Sequence, residues 1–271
     1  MTWQNFQYCI LHAARDAGAA AISAWEVAAT GFPFDFLIDD RAGALCKFTT
    51  STSAHFVQLN RGAAGLEEIA RLIIPAGHNL NTENVRVRTA TDAPFTAGVV
   101  EILAETAISS AGIIDLAMAG GTEAQRQQQY VRIDFPNSGS LVPEIPELIY
   151  TRTRTTTRGP EQGWGDMLVH NTHDFPLESG AVASLSLGAD RRLFELVYRD
   201  VVLAADLLVF SDLLSTCGTS KPFYIDEPFT GSDPIWMKLT EDSRQVQDPA
   251  IPAATDAPQK QINLSMLEHL A

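Results

Sequence analysis

The sequence predicts a mainly β protein, with an N-terminal antiparallel β-sandwich followed by a smaller α+β module. Short apolar segments separated by turn residues are the first indication. Residues 55–60 read His-Phe-Val-Gln-Leu-Asn, 69–74 read Ile-Ala-Arg-Leu-Ile-Ile, and 85–88 read Val-Arg-Val-Arg. Phe56, Leu59, Val85 and Val87 fit period-two or fully buried strands, with Gly62, Gly65, Gly77 and Asn79 at turns between them. The second indication is strict alternation over 130–135. Tyr130, Arg132 and Asp134 share one face there, and Val131, Ile133 and Phe135 the other. The third is a change of character beyond residue 180, where strands flank a segment of helical spacing.

Taken in order, residues 1–21 place Trp3, Phe6, Tyr8, Ile10 and Leu11 ahead of an Ala-rich run, compatible with a short helix or an edge strand. Residues 22–41 carry Trp25, Phe32-Pro33-Phe34, Phe36-Leu37-Ile38 and Asp39-Asp40-Arg41. Pro and Gly break this stretch into an aromatic-rich loop packed on a sandwich end. Strands are expected at 56–60, 69–75, 84–90 and 99–103. Segment 106–119 suits strand or helix, Gly120-Gly121 ends it as a turn, and 123–129 is a polar loop. Strands at 130–135 and 147–153 close the unit.

The stretch 154–180 holds Gly159-Pro160, Gly163, Gly165, Pro176 and Gly180 with little apolar periodicity, and reads as a linker. The domains are therefore 1–153, the linker 154–180, and the α+β module 181–271. Within the last, 183–187 and 191–199 read as a hairpin around Gly188-Ala189-Asp190. Leu207, Leu208, Phe210, Leu213 and Leu214 give 204–216 helical spacing, and Gly218 stands where a C-terminal cap belongs. Strands follow at 221–225, 235–240 and 260–267, with 241–258 as an exposed excursion.

A formal net charge of −14 disfavours nucleic-acid binding, because a phosphate backbone demands clustered Lys and Arg. Arg152, Arg154 and Arg158 lie in a Thr-rich stretch and read as a solvated strand face or inter-domain salt-bridge partners. Cys9, Cys46 and Cys217 are few, odd in number and scattered, as buried thiols of a protein made in a reducing cytosol would be. Neither a signal peptide nor a membrane span is expected, since no run of 18 apolar residues occurs.

Reactive constellations are not apparent. No Gly-x-Ser-x-Gly elbow occurs, and Gly62 to Gly65 lacks the Lys-Ser/Thr ending of a phosphate loop. His170 and His173, with Asp166 and Asp174 nearby, form a His-x-x-His in a Gly-rich stretch and read as polar loop residues. Asp35, Asp39 and Asp40 could offer oxygen ligands to calcium, but Arg41 competes and the EF-hand pattern is missing. No catalytic residue, metal or cofactor is expected. Trp25, Trp164, Trp236 and Phe229 instead sit in Gly- or Pro-rich settings, outside strand interiors, as candidate ligand or interface contacts. For Trp25 a plug on a sandwich end is favoured; for Trp164 plug and platform stand level.

Residues 20–153 resemble a galactose-binding-like (discoidin-type, jelly-roll) β-sandwich. The resemblance is carried by Ile22-Ser23-Ala24, the loop from Phe34 to Asp40, Phe56 to Asn60, Ile69 to Leu80, Val85 to Arg88 and Tyr130 to Phe135. Phe48 or Cys46 stands near where that family often carries a tryptophan, which is a departure. Together with Arg191 to Leu196, the helix, Gly218 and Lys221 to Ile225, the chain resembles tail-tip or baseplate structural proteins of tailed bacteriophages. That resemblance implies a non-enzymatic virion tail component, made in the host cytoplasm. It would pack against other tail proteins and copies of itself, with host-glycan contact as a further option. The alternatives are a carbohydrate-binding protein using sandwich-end loops and a hydrolase with a site near 166–174.

Overall fold

Alternating segments of this sequence form strands wherever they can bury one face, and two stretches that read as loop or linker do so as well. The computed structural model describes residues 7–10, 21–24, 29–34, 37, 44–49, 55–62, 66–136, 141–157, 165–169, 172–176, 182–186, 190–201, 204–226, 234–247 and 260–268. In chain order the first strands are β1 (Gln7–Ile10), β2 (Ala21–Ala24), β3 (Cys46–Lys47), β4 (His55–Asn60), β5 (Arg71–Ile74) and β6 (Asn84–Ala90). Then come β7 (Val100–Ala107), β8 (Ile114–Ala117), the short helix α1 (Glu123–Arg126), β9 (Tyr130–Phe135), β10 (Glu144–Ile145), β11 (Ile149–Thr151) and β12 (Thr153–Thr155). The remainder are β13 (Gly165–Val169), β14 (Thr172–Pro176), β15 (Val182–Ser186), β16 (Arg191–Val201) and the helix α2 (Ala204–Thr216). The chain ends with β17 (Phe223–Ile225), β18 (Ile235–Leu239), β19 (Arg244–Gln247) and β20 (Lys260–Glu268).

Two units result, one spanning 11–153 and the other joining 1–10 to 154–270. In the first, an antiparallel five-stranded sheet runs β2-β4-β9-β6-β7 and a three-stranded sheet runs β11-β5-β8, with the pair β10-β3 beside them. The two inner faces share one core. Val57, Leu59, Val85, Val87, Val131, Ile133 and Phe135 from the larger sheet meet Leu72, Ile74, Ile114 and Tyr150 from the smaller, with Cys46, Phe48 and Ile145 between. Period two on one sheet and apolar matter on both sides are what a sandwich requires. Segment 106–119 resolves as strand, through the end of β7 and β8. The polar stretch 123–129 starts as helix α1 instead, because Thr122 and Gln125 form a reciprocal capping box. Gly120 is more than a turn residue: a Cβ there would lie 2.4 Å from the Glu101 carbonyl oxygen, so only glycine lets the chain pass this close to β7.

Side chains pin the ends of this sandwich. Arg61 is buried, and its guanidinium donates to the carbonyls of Arg126 (3.3 Å), Gln128 (3.2 Å) and Glu67. Burial brings its pKa down to about 10, against the opposing pull of Tyr150 and Glu67. The His78 turn is locked likewise. Its Nδ1 accepts from the Leu80 N–H (3.1 Å), which leaves Nε2 to donate to the Gly112 carbonyl (2.7 Å). Asn79 donates to the Val142 carbonyl (2.9 Å) and accepts from the Glu144 N–H (2.8 Å).

In the second unit an eight-stranded sheet has the order β12-β1-β17-β18-β20-β16-β13, with β19 also on β20. Helix α2 covers one face. Phe210, Leu213 and Cys217 meet Phe194, Leu196, Tyr198, Phe223, Ile225, Met237, Leu239, Ile262, Leu264 and Met266. Gly218 adopts φ +51, the left-handed conformation of a helix C-cap. The helical stripe differs from the expected one: Leu208 is 70% exposed, and the buried line runs through Asp206. That carboxylate is satisfied by the Thr157 N–H (2.8 Å) and hydroxyl (2.6 Å). Arg154 pairs with Asp212 on the same helix at 2.9 Å.

Three expectations are corrected here. The stretch 154–180 contains the paired strands β13 and β14, since pairing to β16 and β15 overrides the glycines that suggested a linker. The expected hairpin of 183–187 with 191–199 does not form: β15 pairs β14, and β16 pairs β13 and β20. Within 241–258, β19 adds to β20.

Ile133→Ala should cost about 2–5 kcal/mol, read as a lower urea midpoint at unchanged slope. Burial lowers the His78 pKa below its ordinary 6.5. An unfolded chain therefore takes up that proton first, so the contribution is complete above about pH 6.5 and fades as pH falls toward the folded value. Stability measured between about pH 7 and about pH 5 should fall less steeply in His78→Gln than in the parent.

Candidate functional site

The registers of β4, β9 and β6 lay out the outward face of the five-stranded sheet as a grid. Asn60 stands opposite Tyr130, Gln58 opposite Arg132, and Phe56 opposite Asp134. On the other side of β9, Tyr130 faces Ala90, Arg132 faces Arg88, and Asp134 faces Arg86. Because side chains alternate, every second residue of three central strands lands on this face. All but Ala90 are polar or aromatic. Glu101 of β7, opposite Arg88, extends the grid by one column.

Arg132 is its centre. The guanidinium carbon lies 3.8 Å from the centroid of Phe56 and 4.7 Å from that of Phe95, within cation–π range of both rings. Its Nη2 donates to the Gln58 carboxamide oxygen at 3.1 Å, and the Gln58 amide nitrogen donates to the Ala93 carbonyl at 2.8 Å. Burial chiefly lowers the Arg132 pKa; Asp134 acts against this, and the Arg88 and Arg86 charges add to it. Asp134, nearly buried, accepts a two-point fork from Arg88 (2.9 and 2.8 Å) and lies 3.5 Å from Arg86 Nε. Glu101 is 4.0 Å from Arg86.

Phe95 reaches Arg132 because the loop between β6 and β7 folds back over the sheet. Asp92 organises the loop, accepting from the backbone N–H groups of Thr96 (3.0 Å) and Ala97 (2.9 Å) and from the Thr96 hydroxyl. Those donors hold the Asp92 carboxyl below the usual carboxylate range, the Thr96 hydroxyl most of all. Phe95 itself adopts φ +57, a left-handed conformation uncommon for a bulky residue. The loop tolerates that strain to aim one ring at the guanidinium.

Of the residues singled out from sequence, Trp25, Trp164, Phe229, His170 and the Asp35-Asp39-Asp40 loop lie outside the described residues. Trp236 differs from its expected setting. It sits within strand β18, 7% exposed, stacked on Tyr224 at 5.8 Å between centroids and 9° between planes. Strand alternation turns both rings to the face opposite Met237 and Phe223. His173 lies on β14 opposite Leu185, and Asp166 on β13 opposite Phe194, in different sheets. Cys46 and Cys217 are buried free thiols, and burial pushes the Cys46 pKa up to about 12. Among the described residues, no three His, Cys, Asp or Glu side chains gather as metal ligands. A cleft of about 300 Å³ in the second unit has a mixed lining, with Glu195, Asp242, Gln261, Asn263 and Ser265 beside Leu196, Val197 and Leu264.

No family model and no curated protein matches the chain. Among solved structures it is similar to chitosan-binding module 1 of a chitosanase/glucanase from Paenibacillus sp. IK-5. The identity is 14% and the TM-score 0.40, over 50% of this chain and 97% of that one. It is similar to the family 32 carbohydrate-binding module of Clostridium perfringens NanJ, solved with galactose, at 12% identity and TM-score 0.41, over 54% and 99%. A third is the Ruminococcus gnavus GH29 fucosidase E1_10125 with fucose, at 14% and 0.41, over 53% of this chain and 27% of the other.

Proposed function

We propose that the protein is a carbohydrate-binding protein and that the outward face of β4, β9 and β6 is its binding surface. The observation that carries the reading is the mixed aromatic and carboxamide face on a rigid sheet: Phe56, Phe95 and Tyr130 half-buried, with Gln58 and Asn60 between them. A sugar ring offers an apolar C–H face and a rim of hydroxyls. Aromatic rings take the first, and planar donors and acceptors fixed by the sheet take the second. Rigid placement limits the entropy lost on binding.

A second reading, assembly with copies of itself as in a virion tail, is favoured by one feature. Strand β13 ends its sheet and exposes Met167 (46%), Leu168 (57%) and Val169 (39%) in succession. An apolar sheet edge can take the same edge of a second copy.

On a glycan array followed by titration calorimetry, the full chain should bind a saccharide. Phe56→Ala and Phe95→Ala should each weaken that binding about tenfold or more, equivalent to about 1.4 kcal/mol. Loss on Trp25→Ala or Trp164→Ala alone would move the site to the sandwich-end loops; no saccharide bound at all would end the reading. For assembly, light scattering should show mass rising with concentration in the parent and a monomer in Leu168→Lys. A parent that stays monomeric throughout would remove it.

A further inference from the structure

Resting on the carbohydrate reading, we infer that this face selects acidic saccharides, with Arg132 receiving a sugar carboxylate.

The cations of the face are Arg86, Arg88 and Arg132, and its anions are Asp134, Glu101 and Glu105. These carboxylates make their short contacts elsewhere: Asp134 holds the Arg88 fork and approaches Arg86, Glu101 lies by Arg86, and Glu105 accepts from the Asn84 amide at 2.6 Å. Arg132 has no ion-pair partner among the described residues, and its one hydrogen bond goes to a neutral carboxamide. Its Nε is buried, which leaves the two Nη groups to meet a ligand. A guanidinium outside any ion pair, flanked by two rings and with Nη1 uncommitted, is prepared for a planar anion.

The neighbouring groups confine the choice. Phe56 and Phe95 flank the guanidinium, and the edge bearing its two Nη groups is where two parallel N–H donors suit one carboxylate. The Arg88–Asp134 fork is already closed and offers no second seat. Gln58, Asn60 and Tyr130 lie along the same face within the grid, where ring hydroxyls of the same sugar would fall. An acidic peptide offers carboxylates but no polyhydroxyl ring for these groups.

The test is calorimetry on the full chain with uronate oligosaccharides, their carboxyl-reduced neutral counterparts, and poly-glutamate. The acidic saccharide should bind at least tenfold more tightly than its reduced form. That advantage should shrink as salt rises from about 20 to about 200 mM. Arg132→Gln should erase that preference, bringing the acidic and reduced affinities of the variant within about twofold of each other, and Arg132→Lys should keep only part of it. Equal affinity for acidic and reduced forms overturns the inference and leaves the carbohydrate reading standing. Binding of neither saccharide overturns both. Binding of poly-glutamate as tightly as the uronate overturns it in favour of a peptide ligand. Should Arg132→Gln melt before assay, the acidic-against-reduced comparison on the parent decides by itself.

Discussion

The register of β9 between β4 and β6 is the constraint on which the N-terminal unit depends. Both of its edges are paired, and its alternation sends Val131, Ile133 and Phe135 inward while Tyr130, Arg132 and Asp134 face out. A slip of one residue against either neighbour would exchange these sets, burying an arginine and an aspartate and exposing three large apolar side chains. At about 1.5–3 kcal/mol for each large apolar side chain buried, that exchange is prohibitive. The core therefore fixes the register, and the register in turn composes the outer face. Arg132 lies beside Gln58 and Arg88, and Asp134 beside Arg86, because Ile133 must lie beside Val57 and Val87.

Polar side chains then hold what hydrophobic burial does not specify. Arg61 is a buried cation whose two Nη groups donate to backbone carbonyls, so it ties the loop after β4 to the turn after α1. Removing it would strand several buried carbonyls at once. The His78-Asn79 turn fastens the chain after β5 to the segment before β10 by the same means. Asp92 does so on the outer face, where a short polar loop is made rigid enough to keep Phe95 in a left-handed conformation over Arg132. Rigidity here is functional, because a binding surface assembled in advance loses less freedom when a ligand arrives.

The C-terminal unit uses the other solution available to a one-sided sheet, a helix laid along it. Asp206 in the buried stripe of α2 shows why composition alone misplaces that stripe: a carboxylate is admitted because Thr157 supplies both its donors. Leu208 is then turned to solvent.

Sequence by itself determined the strand-rich class, the positions of β4, β6 and β9, helix α2 with its Gly218 cap, and the alternation that separates inner from outer residues. These are local matters, set by period and by turn chemistry within a few residues. Partnership was decided only by tertiary structure. The pairings of β13 with β16, β14 with β15 and β1 with β17 join residues far apart, in stretches whose glycines, prolines and weak periodicity masked them. The same holds for the binding face. Arg86, Arg88, Arg132 and Asp134 were each visible as outward members of an alternating strand, whereas their convergence with Phe56 and Phe95 needed three strands in register and a loop folded back. Gly- and Pro-rich settings single out the tryptophans instead, and Trp236 is a buried stacking partner of Tyr224. The physical reason is that a strand's hydrogen bonds are all made to another segment, so its local pattern says which side faces in and never which neighbour stands beside it.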